Sequence, residues 1–241
     1  MCEKCKDASC NVSIKSKSTE SDSINYSILE WYVSKIDEMN LYYYEGEDKN
    51  IVVQYPKKHD DYICIFNSVR NTNENDLIND ISSIFSSVEC LNILKNSGLK
   101  FKHGLKVIIN PNCSNKVQKK ITSDNISYYF EFKIVENEEL TKTNSIAIVK
   151  ELNSKQGERL TLSKSVAKIL EQVICKLNYD FYLMDSYVIP DINYLPDGVP
   201  IGYVLIPKAI RGCNEQNSEI THINIEKSSK LLLNTIEKLN E

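Results

Sequence analysis

Arginine and glycine are both scarce in this chain. Arginine occurs only at Arg70, Arg159 and Arg211, and seven glycines are spread over 241 residues. Gly98 and Gly104 are too far apart, and too poorly placed between strand and helix, to form a phosphate-cradling loop. That excludes a dinucleotide-binding fingerprint and a nucleotide-binding P-loop. Only three histidines are present, His59, His103 and His222, and none pairs with another at a metal-ligand spacing. No run approaches the roughly 18 apolar residues needed to span a bilayer, and no export signal follows Met1, so the sequence predicts a cytoplasmic or nuclear protein without a membrane partner. In such a reducing compartment the eight cysteines are expected to remain thiols.

What is present is ordinary for a folded protein. Hydrophobic residues make up 41% and charged residues 26%, which places the chain outside the disordered class. The net charge of -4 argues against binding nucleic acid by overall electrostatics. Lysines at Lys57-Lys58 and between Lys116 and Lys120 keep a nucleic-acid role as a remote alternative.

Periodicity organises the rest. Helical spacing marks amphipathic segments near 24–40, 76–95, 162–178 and 227–240. Strand signals occur at 41–44, 51–55, 62–66, 105–109, 126–134, 146–152, 181–189 and 199–206, with a weaker alternation at 220–225. Ile126, Tyr128, Phe130, Phe132 and Ile134 alternate with Ser127, Tyr129, Glu131 and Lys133, which predicts one core face and one face mostly in solvent. The expectation is an α+β fold, a mixed or mainly antiparallel sheet covered by about four amphipathic helices. Residues 1–20 read as a flexible cysteine-containing tail and 21–241 as a single domain, with a boundary between two lobes near 137–145 as the alternative.

Candidate chemistry is dispersed. Cys2, Cys5 and Cys10 could supply three corners of a zinc site, but no second Cys-x-x-Cys follows and no apolar residues surround them. The expectation is no bound metal or cofactor, with zinc at these cysteines as the alternative. His59 beside Asp60 and Asp61 could act as an oriented base or be a solvated turn pair. Cys113 near Lys116 and Cys213 near Arg211 are the thiols a nearby cation could activate. Asp185 falls on the apolar side of the alternation Phe181, Leu183, Tyr187, Ile189, so the face changes there, the carboxylate is paired, or it reaches a pocket.

Fourteen tyrosines against a single tryptophan suit an interface, and the run Tyr42, Tyr43, Tyr44 puts phenols on both faces of one strand. These observations favour a non-enzymatic protein-interaction module, with a protein partner or a second copy of the chain bound at those tyrosines. The alternative is an enzyme or a binder of a small anion, with a pocket near Asp185 and the 190–198 loop. There Arg159, Arg211, Asp191 and Tyr194 would contact the ligand, with His59, Asp185, Cys113 or Cys213 as the catalytic candidates.

Overall fold

A computed structural model describes residues 20–46, 50–69, 74–98, 101–110, 125–208 and 217–241, except for the side chains of 20–28, 74–77, 217–222 and 224. Its elements are α1 (Glu20–Glu38), β1 (Tyr42–Glu45), β2 (Ile51–Tyr55), β3 (Tyr62–Ser68), α2 (Glu74–Ser97), β4 (Gly104–Asn110) and β5 (Ile126–Val135). After these come α3 (Glu138–Thr143), β6 (Ile146–Val149), β7 (Glu151–Ser154), β8 (Arg159–Thr161) and α4 (Lys164–Lys176). The described chain finishes with β9 (Phe181–Met184), β10 (Tyr187–Ile189), β11 (Ile201–Pro207) and α5 (Asn217–Asn240).

Eight strands form one sheet in the order β1-β2-β4-β3-β5-β11-β6-β9. The central strands β4, β3, β5 and β11 are mutually parallel, while β2 and β6 run against their inner neighbours β4 and β11. The fold is therefore α+β with a mixed sheet, but its centre is parallel rather than antiparallel. A second sheet, β10-β7-β8, has three strands.

Each face of the large sheet has its own core. On one face Ile63, Ile65, Phe130, Phe132 and Val204 meet Tyr32 and Ile36 of α1, Leu91 of α2, Leu170 of α4 and Leu232 of α5. On the other, Cys64, Phe66, Tyr129, Tyr203 and Leu205 are covered by Leu152 and Ile189 of the small sheet, Leu140 of α3, and Tyr194 and Leu195 of the loop before β11. This second cover changes the reading of β5. Tyr129 and Glu131 were expected to face mostly solvent, yet both are fully buried.

Four further differences concern single segments. The segment 220–225 is part of α5, because its short alternation is carried by a longer helical stretch. The segment 181–189 is two strands in two sheets, and 146–152 is likewise divided between β6 and β7. The helix α3 was not anticipated; it is one turn and a half long, capped by Asn137, whose side-chain oxygen accepts from the backbone N–H of Glu139 and Leu140.

Among the described residues no helix is long and apolar enough to cross a membrane. Cys64 and Cys90 are buried free thiols, and burial pushes the Cys64 thiol up to about 12, so it behaves as a small core hydrophobe.

Candidate functional site

Parallel strands end together, and ligands of open sheets of this kind bind beyond those carboxyl ends, where the strand order reverses. Here the order turns at β3, whose sequence successors β4 and β5 lie on opposite sides of it. The carboxyl edge therefore carries Asn67 and Ser68 of β3, Asn110 of β4, Lys133 of β5 and Lys208 just after β11. The chain leaves this edge into 70–73, 111–124 and 209–216, which are outside the described residues.

Lys133 is the charged centre of the edge. Its ammonium lies 3.2 Å from Glu131 Oε2 and donates to Ser68 Oγ at 3.3 Å, with only 12% of the side chain exposed. Register explains the meeting, since β3 and β5 run side by side and pair up to Ile65 and Phe130, and the same offset carried three residues on brings Ser68 level with Lys133. Glu131 has no exposure at all. Its Oε1 accepts from the Tyr129 hydroxyl at 2.9 Å and the Tyr194 hydroxyl at 2.7 Å. Its Oε2 has no hydrogen bond of good geometry and is compensated by the Lys133 charge. Burial first, and then the Glu131 charge, push the Tyr129 phenol well above its ordinary value, so it remains a donor. One buried carboxylate thus joins β5, the 190–198 loop and a cation at the carboxyl edge.

A second polar cluster lies at the opposite, amino edge. Asp61 Oδ2 accepts from Ser127 Oγ at 2.5 Å and from His103 Nδ1 at 2.8 Å. The ring nitrogens of His59 lie 2.8 Å from the Asp61 carbonyl oxygen and 3.2 Å from that of Phe101. The backbone N–H of His103 donates to Asn240 Oδ1 at 2.8 Å, which draws the end of α5 into the same knot. Asp61 stands between Ser127 and His103, so the histidine has no hydrogen bond to the serine, and the cluster fastens strand starts rather than forming a nucleophile–base pair.

Burial is the largest influence on Asp61 and raises it. The hydrogen bonds from Ser127 and His103, with the charges of His103 and His59, together outweigh burial and hold the carboxyl below its ordinary value. A carboxyl depressed in the folded state contributes stability above its unfolded value and loses it as pH falls through the folded one. The Asp61→Asn variant is therefore expected to have a lower urea midpoint than wild type near about pH 7, with the gap closing on acidification. A gap that stays constant with pH would remove the carboxylate from this role.

The remaining sequence candidates are scattered. Asp185 lies beyond the end of β9, with 92% of its side chain exposed, and accepts from Lys150 at 2.6 Å. Lys150 holds its carboxyl below the ordinary value. Asp191 accepts from the backbone and side chain of Asn193 in an exposed turn. Arg159 is exposed on β8. Tyr42 and Tyr44 are exposed on the edge strand β1, with Lys57 Nζ 4.2 Å from the Tyr42 ring centre, while Tyr43 packs toward the helix-side core. Cys2, Cys5, Cys10, Cys113, Arg211 and Cys213, and the side chain of His222, lie outside the described residues. Among the described candidates only Tyr194 reaches the carboxyl-edge network. Glu131, Lys133 and Ser68 were not singled out, although a Glu and a Lys two apart on a strand share a face and so carried a signal.

No protein-family model matches the sequence, and no curated protein matches it. Solved structures share the fold. The crystal structure of AtUAH in complex with glyoxylate superposes with a TM-score of 0.65 at 10% identity, over 90% of each chain. An amidase of the hydantoinase/carbamoylase family from Burkholderia multivorans gives 0.63 at 8% identity, over 91% of each chain. Bacillus subtilis YXEP, a dinuclear metal binding peptidase from the M20 family, gives 0.54 at 7% identity, over 92% of this chain and 93% of its own.

At these identities the fold is what is shared. It is a fold used by amidases and peptidases, which overturns the non-enzymatic interaction module and protein binding as the expected function. The expectation of no cofactor is corrected by the same finding, because one of these structures is of a dinuclear metal binding enzyme. The described residues at the carboxyl edge do not themselves fit such a centre: Asn67, Ser68 and Asn110 offer neutral oxygens, and Lys133 brings a positive charge. Among the described residues no three His, Cys, Asp or Glu side chains converge to hold a metal.

Proposed function

We propose that this chain hydrolyses an amide-type C–N bond in a small substrate bearing a carboxylate, bound at the carboxyl edge of β4, β3, β5 and β11. The observation that carries the reading is the Lys133 ammonium, set at that edge beside the Ser68 hydroxyl. An ammonium and a hydroxyl recognise an anionic oxygen, and a mostly buried cation acts in a less screened environment than a surface one. The fold shared with amidases supports the reaction class, and glyoxylate, bound in the AtUAH structure, supports the carboxylate. Glu131 holds the ammonium in place from below, and Tyr194 ties the 190–198 loop to the same carboxylate.

The test is calorimetric titration with glyoxylate, beside an assay of amine or ammonia release from N-carbamoyl amino acids and dipeptides, each with and without added zinc. Wild type is expected to bind glyoxylate. The double variant E131Q/K133M removes both charges together and so avoids an unpaired buried carboxylate. It is expected to bind about tenfold to a hundredfold more weakly, the loss of one charge-assisted contact. Equal affinity in the double variant removes Lys133 from the site. No hydrolysis of any substrate in the panel, with zinc or without, rejects the reaction class.

A further inference from the structure

The exposed apolar side chains gather along one side of the molecule. Val188, Ile223 and Leu183 are the most exposed large hydrophobic residues among those described, at 59%, 45% and 41%. Leu183 lies on β9, the outermost strand of the large sheet, and Val188 on β10, an outer strand of the small one. Only Asp185 and Ser186 separate the two strands, so one stretch of chain borders both sheets. Ile223 precedes Lys227 by one turn of α5 and shares its face. Lys227 donates to the Asn144 carbonyl at 3.2 Å and stands 5.3 Å from the centre of the Tyr179 ring, which sets that face beside the starts of β6 and β9.

The backbone of β9 is open along the same line. The Ile146 N–H donates to the Asp180 carbonyl at 2.8 Å and the Lys150 N–H to the Met184 carbonyl at 2.9 Å, so the even-numbered residues face β6. Phe181 and Leu183 therefore turn their N–H and C=O groups away from the sheet, and no described strand lies there to pair with them. An open edge of this kind is a template for another strand. We propose that a second copy of this chain pairs its β9 antiparallel with this one, about a two-fold axis at Tyr182, and continues the large sheet through both molecules.

Register and charge both select a second copy as the occupant. With the axis at Tyr182, Phe181 and Leu183 of one chain exchange backbone hydrogen bonds with Leu183 and Phe181 of the other, and every outward group of both strands is satisfied. The exposed Leu183 side chain then lies against Phe181 of the second copy, on the helix-covered face where Phe181 already packs. Asp185 ends the edge with a carboxylate that is 92% exposed beside Lys150. The same register carries it toward Tyr179 of the second copy, over whose ring the Lys227 ammonium stands. Each end of β9 thus meets the opposite charge. This edge lies at the other end of the sheet order from Tyr42 and Tyr44 on β1, and away from the carboxyl ends that carry the proposed hydrolytic site.

The experiment is analytical ultracentrifugation of the full chain from about 1 to 100 µM, where the expected mass is that of two chains. Leu183→Lys changes a side chain that is exposed in the single chain, so native circular dichroism is expected to persist. It places a charge against Phe181 on both sides of the contact and is expected to raise the dissociation constant at least about tenfold. Tyr182→Cys tests the register, because residue 182 meets its own copy at a non-hydrogen-bonded position with about 4.5 Å between Cα atoms, within disulfide reach. Mild oxidation is expected to link these chains in pairs well above the background set by the thiols of wild type. A single-chain mass for wild type across the range overturns the proposal. So does a two-chain mass that Leu183→Lys leaves unchanged, and a dimer that Tyr182→Cys does not cross-link overturns the register. Hydrolysis enters none of these readouts, so the result stands apart from the proposed function.

Discussion

Glu131→Ala is expected to lose about 3–5 kcal/mol of folding stability, the cost of leaving one member of a buried ion pair uncompensated. The lysine left behind has only 12% of its side chain in contact with solvent. Two hydroxyls, of Tyr129 and Tyr194, lose their acceptor in the same step. For a chain of this length a loss of that size lowers the melting temperature by about 10 °C. The 190–198 loop is expected to become the first site of protease cleavage, because the Tyr194 hydroxyl no longer holds it to β5. The contrast lies in E131M/K133M, which deletes both charges and keeps apolar volume. Replacing a whole buried pair in this way is often neutral or stabilising. A single variant as stable as the double one would mean that Glu131 and Lys133 are not electrostatically coupled.

Gly202→Ala is the second large effect, and its cause is space alone. A Cβ at residue 202 would stand 2.6 and 2.7 Å from two carbons of the Phe130 ring and 2.8 Å from Val166 Cγ1. Phe130 is fully buried in the register position opposite Gly202, and Val166 is fully buried on α4 above the same point. Neither can swing into solvent, so a strand, a ring or the helix must move. Overpacking of this kind costs about 1–3 kcal/mol, and the rigidity on both sides places the expectation at the upper end. Chemical denaturation would read it directly. Phe130→Leu in the same background frees room at the ring and is expected to recover part of the loss. If it recovers nothing, the Phe130 contact is not the cause.

The same physics explains which parts of the protein were legible before its structure. The long helices and most strands follow from periods that repeat within one segment. Leu91 and Leu94, or Ile63 and Ile65, need no distant partner to reveal a face. The short elements were not legible, since α3 and β8 span 6 and 3 residues, too few to establish a period. Asp185 posed a puzzle only while 181–189 was one strand. With the chain passing from one sheet to the other after Met184, the carboxylate has no apolar face to occupy and pairs with Lys150 in solvent.

Glu131 shows the converse. Its alternation with Phe130 and Phe132 correctly placed it on the sheet face opposite theirs. Nothing local revealed that Tyr194, 63 residues later, would close over it. Reading the ionisable residues as dispersed failed at this point, because register and loop docking gather residues that sequence distance separates.

By itself, then, the sequence determined the helical and extended segments and the sides they turn inward, since these depend on neighbours three or four residues away in a helix and two away in a strand. The tertiary structure alone decided that the central strands run parallel, that the second sheet face is covered, and that Ser68, Glu131, Lys133 and Tyr194 meet at one edge. Those outcomes depend on contacts between residues tens of positions apart, and no local period encodes them.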